Sequence, residues 1–227
     1  MVAASDGAFG RATSLATSSP FGVGGARFHY SSEEEWVDTV YLGCWRREIF
    51  ARIGGFDEEM VRNQDDEFNY RLASAGGRIL LSPRIRSVYY NRSSVRKLWK
   101  QYFQYGYWKV RVMQKHPAQM RLRHFAPACF VLALTAISLG SAVTPVARQA
   151  LGALVGVYLA ASLAASLWAV RGSNWRLLPL MPLAFLTIHL AYGSGFLTGL
   201  LQFASLWRAP RAVVPAVAGD IRPERDP

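Results

Sequence analysis

Three consecutive carboxylates at residues 65–67, Asp-Asp-Glu, are the side chains of this sequence whose types and spacing best suit chemistry. They follow a glycine pair at residues 54–55 and open an amphipathic segment that contains Arg71. Carboxylates at a helix start offer a general base or ligands for a divalent metal. The competing interpretation is that they only complement the helix dipole, which is common. After residue 67 no Asp or Glu follows until Asp220, so the acidic residues are concentrated in the first third of the chain.

Composition changes along the 227 residues, which carry a net charge of +11. We expect a globular part over residues 1–91, a basic amphipathic region over 92–123, an apolar region over 124–206 and a tail over 207–227. A basic belt before apolar segments is typical of the cytoplasmic side of a bacterial inner membrane, where anionic lipid attracts it. Membrane lipids are therefore the predicted partner. Nucleic acid, the other partner of such charge, is not expected.

The globular part reads as a short α/β arrangement. The expected elements are a strand over Val37–Trp45, a helix over Arg46–Ile53 that stops at the glycine pair, a helix over Asp66–Ala75 capped by Asp65 or a neighbour, and strands over Arg78–Leu81 and Ser87–Tyr90. These are too few strands for a complete layer. Residues 1–30 are rich in Gly, Ala and Ser, and they are either a turn near a ligand or a flexible connection.

The remainder predicts helices at and in a membrane. Ser94–Met113 has an aromatic face and a basic face, which indicates an interfacial helix or, alternatively, a helix packed on the globular part with a solvated basic face. Phe125–Val143, Ala150–Val170 and Leu177–Phe203 are each long enough to cross a hydrocarbon core of roughly 30 Å. The positive-inside rule puts the basic belt and the loop at 171–176 in the cytoplasm. The last segment contains His189, Tyr192, Gly193 and Gly195, so it is either a continuous span or a broken or re-entrant one, and the topology of the C-terminus stays open.

The order of several strings resembles the acceptor-side half of family-2 inverting glycosyltransferases with the GT-A fold, of the type that builds succinoglycan-like exopolysaccharides. The strings are SPFGVGGARF, VDT, RREIF, GGFDE, NQDDEFNYRLASAGGRILLSP and QYFQYGYWKV, followed by an apolar tail, and they cover residues 17–206. The resemblance implies an α/β fold, a partial GT-A domain corresponding to the C-terminal half, followed by α-helical transmembrane segments.

The family's usual acidic motif is Glu-Asp-x-Asp/Glu with an Arg four residues further on. Residues 64–67 here are Gln-Asp-Asp-Glu and Arg71 follows, so Asp65 matches the catalytic base. Gln64 in place of Glu removes a neighbouring negative charge, which we expect to limit the rise in the pKa of Asp65. The helix N-terminus would help to keep Asp65 ionised.

The resemblance also implies residues that bind the acceptor or shape the site. Gln104 and Trp108 match loosely the Gln and Trp of the QxxRW signature of processive relatives, although Tyr107 stands where that signature has Arg. The full set of acceptor-binding or loop-shaping candidates is Gly54, Gly55, Phe56, Asp57, Asp66, Glu67, Arg71, Gln104 and Trp108.

The family's donor-side motif, an Asp-x-Asp that holds Mg²⁺ or Mn²⁺ against the donor diphosphate, does not occur in this sequence. We therefore expect the metal ligands to lie outside this chain, in an N-terminal half that precedes it. The implied function is transfer of a sugar, with inversion, from a nucleotide-sugar donor to a lipid-linked or polysaccharide acceptor by a multi-pass inner-membrane enzyme. The alternative is a non-catalytic membrane protein whose half-domain binds a partner or lipid.

Overall fold

The computed structural model describes residues 2–207, and most of them are helical. The predicted tail lies outside the described residues apart from Trp207. The eight α-helices of the described part are α1 (Gly7–Thr17), α2 (Pro20–Val23), α3 (Arg47–Ile53), α4 (Gln64–Ser74), α5 (Val95–Lys115), α6 (Leu122–Ser141), α7 (Pro145–Val170) and α8 (Met181–Gln202).

The described strands form two separate pairs. Strand β1 (Val2–Ala4) runs parallel to β4 (Val88–Tyr90), and β2 (Glu35–Val37) runs antiparallel to β3 (Ile79–Leu81). The α/β part therefore contains only a small amount of sheet between residues 2 and 207. The strands predicted over 78–81 and 87–90 are confirmed to within one residue.

The strand predicted over residues 37–45 is wrong beyond Val37. The chain leaves the sheet there because it contacts α4 instead: the side-chain amide of Asn69 donates to the Thr39 hydroxyl (3.0 Å) and to the Val40 carbonyl (3.2 Å). Leu42 has a φ of 52°, which interrupts an extended conformation. The apolar side chains of this segment still reach the core, where Val40 and Trp45 pack against Phe68 and its neighbours.

The N-terminal residues are ordered into helices rather than a flexible connection. Helix α1 has no strong apolar stripe, but Ala12 and Ala16 are fully buried against α8, where small side chains allow close approach. Helix α2 starts at Pro20, and the Ser19 hydroxyl caps it by accepting from the Gly22 N–H (3.3 Å).

Helices α3 and α4 match the prediction closely, but the expected N-cap of α4 is wrong. The cap is Asn63, in the left-handed conformation (φ 63°), and Asp65 is already inside the first turn. Asn tolerates this conformation better than most residues. The Asn63 side-chain amide donates to the Tyr105 carbonyl (3.1 Å) and so fixes the start of α4 against α5.

Three helices are long and apolar enough to cross a membrane by length and composition: α6, α7, and α8 together with the 3₁₀ turn that precedes it (Trp175–Gln202). They match the three predicted segments. Helix α5 is also confirmed, and its buried residues are mainly those of the predicted apolar face, including Leu98, Tyr102, Gly106, Val110 and Met113. That face packs on α8, and the basic face is not solvated throughout, because several of its cations contact carboxylates.

Candidate active site

Asp65 lies in the first turn of α4 and lines a large cavity. Its Oδ1 accepts from the Asp66 N–H (2.9 Å), which is a bond that favours the charged carboxylate. Burial is the largest influence and raises the pKa of Asp65, with the Asp66 charge adding to the rise and the Lys109 cation opposing it. Desolvation is thus the main cause of the raised pKa of Asp65, and the smaller rise expected from Gln64 stays a prediction.

The other two carboxylates of the triplet each form salt bridges with basic side chains. Asp66 Oδ2 lies 2.6 Å from the Lys109 ammonium. Glu67 is buried and accepts two bonds from Arg71, at 2.8 and 2.9 Å, while His116 Nε2 lies 2.8 Å from its Oε1. Burial acts to raise the pKa of Glu67, but the bonds to His116 and Arg71 outweigh it and the pKa is lowered. Within residues 2–207, Asp65 alone of the triplet has no salt bridge.

Arg71 binds Glu67 and also holds the loop that contains Gly54 and Gly55. Its Nη2 donates to the Gly55 carbonyl (2.6 Å) and its Nη1 donates to the Ile53 carbonyl. Gly54, between these two carbonyls, has a φ of 80°, a conformation that glycine adopts without strain. One guanidinium thus joins the end of α3 to the first turns of α4.

The last turns of α5 carry cations that bind acids of the loop between α3 and α4. Arg111 contacts Glu59 through Nε–Oε1 (2.5 Å) and Nη2–Oε2 (3.0 Å), and Lys115 contacts both Asp57 and Glu59, the latter at 2.7 Å. The Arg111 hydrogen bond is the main reason that the pKa of Glu59 falls to about 2. Sequence reasoning missed these pairs. The available signal was the match between an acidic segment at 57–67 and a basic one at 109–116.

The cavity has a volume of about 1320 Å³ and runs between α4, α5, the segment at residues 20–29 that begins with α2, and the apolar helices. Among the predicted site residues, Phe56, Asp65, Asp66 and Gln104 line it. Gln104 accepts from Arg62 Nε at 3.1 Å.

The remaining predicted site residues do not line the cavity. Trp108 packs on Tyr107 and Phe203 in an apolar cluster at the end of α8 (ring centroids 5.6 and 5.8 Å). The others are in the loop after α3, namely Gly54, Gly55 and Asp57, or within α4, namely Glu67 and Arg71.

The glycine-rich segment at residues 22–25 forms one wall of the cavity. Gly25 lies directly against Arg123 at the start of α6, and a Cβ at residue 25 would come within 2.4 Å of Arg123 Nη1. A side chain there would displace Arg123 from the cavity lining. The Arg123 guanidinium also pairs with Asp38 at 3.1 Å, which joins the globular part to the first apolar helix.

The far end of the cavity is aromatic and lies among the apolar helices. Phe130 of α6 stacks on Tyr158 of α7, with ring centroids 4.7 Å apart. The His189 Nε2–H donates to the Phe21 carbonyl (2.8 Å), which leaves Nδ1 to accept from the Tyr158 hydroxyl (3.0 Å). Both ring nitrogens of His189 are therefore hydrogen-bonded within the protein.

The described residues do not fit a divalent metal. Between residues 2 and 207 no group of three or more His, Cys, Asp or Glu side chains converges on one point. Two carboxylates of the acidic triplet already accept from cations, so they do not form a ligand set with Asp65.

Two curated proteins are similar to this chain over most of its length. Succinoglycan biosynthesis protein ExoA of Rhizobium meliloti (strain 1021) is 34% identical over 195 residues, which cover 86% of this chain and 58% of that protein. The Methanococcus voltae protein named dolichyl N-acetyl-alpha-D-glucosaminyl phosphate 3-beta-D-2,3-diacetamido-2,3-dideoxy-beta-D-glucuronosyltransferase is 27% identical over 186 residues, which cover 82% and 54%. The chain thus spans a little more than half the length of the curated relatives it matches. No family profile matches it, and no solved structure is significantly similar.

Proposed function

Given that this chain belongs to the family-2 glycosyltransferases of the exopolysaccharide type, we propose that it carries the acceptor side and the catalytic base of an inverting sugar transfer. The observation that supports this most is the position of Asp65. It faces a large cavity, and its pKa is raised, while the acids beside it are neutralised by cations. A base with a raised pKa is better matched to taking a proton near neutral pH.

In the proposed reaction the ionised Asp65 carboxylate takes the proton of an acceptor hydroxyl. The hydroxyl oxygen forms a bond to the anomeric carbon of the donor sugar, and the bond from that carbon to the diphosphate oxygen breaks on the opposite face. The nucleotide diphosphate leaves with the electron pair, so the configuration at the anomeric carbon inverts. The cavity wall holds the acceptor against Asp65, which is the positional contribution of the protein.

The proposed acceptor is a lipid-linked glycan, since one wall of the same cavity is made by α6, α7 and α8. The cavity is continuous from Asp65 to the aromatic residues Phe130 and Tyr158, so a lipid-linked sugar can enter from the apolar side and reach the base. The name of the archaeal relative, which refers to a dolichyl-phosphate-linked sugar, supports this substrate class.

The donor nucleotide and an Mg²⁺ or Mn²⁺ ion, which the family resemblance implies, are proposed to bind residues outside 2–207. The half-length match to the relatives is compatible with such an N-terminal half. The proposed location is a bacterial inner membrane with the Asp65 side in the cytoplasm, because the cations at 92–123 and at 171–176 flank the apolar helices on that side.

The test is turnover of nucleotide sugar in membranes that contain the full-length protein, with Asp65→Asn and Asp6→Asn compared. Asp6 is an exposed acid distant in sequence from the triplet, so its amide variant is a control for charge alone. We expect Asp65→Asn to lower kcat by roughly 10²-fold or more with little change in donor KM. Turnover at the control rate would reject Asp65 as the base, and no turnover in the wild-type protein would favour the non-catalytic alternative.

A further inference from the structure

The three apolar helices are not equally covered by the rest of the protein. In the most apolar stretches of α6 and α7, 6% and 11% of residues are buried, whereas the corresponding share in α8 and its preceding turn is 50%. A helix that faces lipid keeps its apolar surface uncovered by protein, as α6 and α7 do. Helix α8 instead is covered along much of its length by other parts of the chain, chiefly α5 and α1.

Helix α5 runs parallel to α8 and in close contact with it. A Cβ at Gly195 would come within 2.0 Å of the Phe103 carbonyl, and one at Gly199 within 2.7 Å of the Tyr107 carbonyl. At the end of both helices the Gln114 side-chain amide donates to the Phe203 carbonyl (2.8 Å). Residues further along α5 contact residues further along α8, so the two helices run parallel. Helix α5 is about 30 Å long at 1.5 Å per residue.

The other side of α5 bonds to charged groups of the globular part. Lys109 binds Asp66 and Arg111 binds Glu59, both beside the second half of α8. The first half of α8 is covered by α1, whose Ala12 and Ala16 belong to the same buried cluster as Phe185. If α8 crossed a hydrocarbon core of about 30 Å, these ion pairs and α1 would be carried to hydrocarbon depth, where charges are costly.

We propose that α8 lies along the membrane surface beneath α5, and that only α6 and α7 cross the bilayer. The partner of its outer face is the boundary between phospholipid headgroups and hydrocarbon, which the exposed side chains Leu183 and Leu201 contact. The exposed cations Arg121, before the start of α6, and Arg171, after the end of α7, lie on the same side of this helical hairpin. They face the same anionic headgroups.

This topology places the end of α8 on the same side of the membrane as Asp65. Three crossings would place it on the opposite side, together with the turn between α6 and α7. The two arrangements therefore differ in the side on which Leu201 is found, whatever reaction the protein catalyses.

The experiment labels single cysteines in the full-length protein with a membrane-impermeant maleimide, in closed vesicles of both orientations. The background replaces Cys44 and Cys129, and the new cysteines are at Glu58 on the Asp65 side, at Val143 in the α6–α7 turn (81% exposed) and at Leu201 (80% exposed). For each cysteine the labelling rate is compared between the two vesicle orientations. We expect Leu201→Cys and Glu58→Cys to be labelled at least tenfold faster in one orientation than in the other, and Val143→Cys to show the opposite preference. Labelling of Leu201→Cys together with Val143→Cys would overturn the proposal.

A depth measurement decides the case in which Leu201→Cys is shielded from both sides. Spin labels at Leu190, near the middle of α8, and at Leu159, near the middle of α7, are compared for collision with oxygen and with a water-soluble nickel chelate. We expect the label at Leu190 to report headgroup depth and the label at Leu159 to report the hydrocarbon centre. Equal, central depths for both would overturn the proposal.

Discussion

At the scale of single residues, the three carboxylates of the acidic triplet differ in their partners: two form salt bridges with cations, and the third does not within residues 2–207. Asp66 and Glu67 accept from Lys109, Arg71 and His116, whereas Asp65 has no salt bridge between residues 2 and 207. The family resemblance identifies Asp65 as the candidate base, but it does not reveal that the environment of Asp65 differs from those of Asp66 and Glu67. The distinction depends on the positions of Lys109 and His116, about 50 residues further along the chain.

The pair of Glu67 and Arg71 is predicted to stabilise the fold. Replacing Glu67 with Gln leaves the buried guanidinium without its carboxylate, so we expect a loss of about 3 kcal/mol in the free energy of unfolding. The exposed Glu48→Gln variant is the control and should change stability by less than about 0.5 kcal/mol. Thermal unfolding in detergent, followed by tryptophan fluorescence, measures both; equal stability of the two variants would contradict the role assigned to the pair.

The same pair gives stability a pH dependence. Because the pKa of Glu67 is lowered in the folded protein, its contribution is present above the unfolded pKa of a glutamate and is lost as the pH falls through the lowered folded value. We expect Glu67→Gln to remove this part of the acid destabilisation, which unfolding measured at several pH values between 3 and 7 would detect as a flatter curve. An unchanged curve would show that other groups cause the acid destabilisation.

At the scale of secondary-structure elements, long apolar or amphipathic helices were predictable, whereas elements that depend on tertiary contacts were not. Helices α4 and α5 and the three apolar helices follow from apolar spacing and length. Helix α1 was missed because its many Gly, Ala, Ser and Thr residues are typical of turns and flexible connections, and it is held by tertiary contact through Ala12 and Ala16. The strand predicted over 37–45 failed because Asn69 of α4 bonds that segment, a partner that local propensity does not reveal.

The contact between α5 and α8 depends on glycines that allow the two backbones to approach. A Cβ at Gly195 would lie 2.0 Å from the Phe103 carbonyl, so we expect Gly195→Ala to separate the helices and to cost about 1–3 kcal/mol. Gly156→Ala on α7 is the matched control, since nothing lies within 4 Å of the added carbon there, and helix propensity should make it neutral or slightly stabilising. Limited proteolysis and thermal unfolding of both variants would check this, and equal behaviour would contradict the close packing.

At the scale of the whole molecule, a single cavity joins the acidic end of α4 to the aromatic residues between the apolar helices. The sequence predicted both ends as separate features, a site and a membrane region. It did not predict their connection, because the lining combines residues from seven segments of the chain that are distant in sequence.

If a lipid-linked acceptor occupies this cavity, narrowing its membrane side should weaken acceptor use selectively. Ala126 of α6 lines the cavity, and we expect Ala126→Trp to raise the KM for a lipid-linked acceptor roughly tenfold, the loss expected from about 1.4 kcal/mol of binding, with the donor KM unchanged. Ala136→Trp, on the same helix but outside the lining, should behave as wild type. Steady-state kinetics of the full-length enzyme in membranes separates these outcomes; an equal effect of both variants would indicate only a perturbed helix.

The most direct test of the central claim is the pH dependence of kcat/KM for the full-length enzyme, with Asp66→Asn and Lys109→Met measured beside it. If ionised Asp65 is the base, activity falls as the pH drops through its raised pKa. Asp66→Asn removes a like charge and should move this acid limb to lower pH, whereas Lys109→Met removes a cation and should move it to higher pH. Opposite shifts of the limb are the result predicted here, and a limb that neither substitution moves would contradict Asp65 as the base.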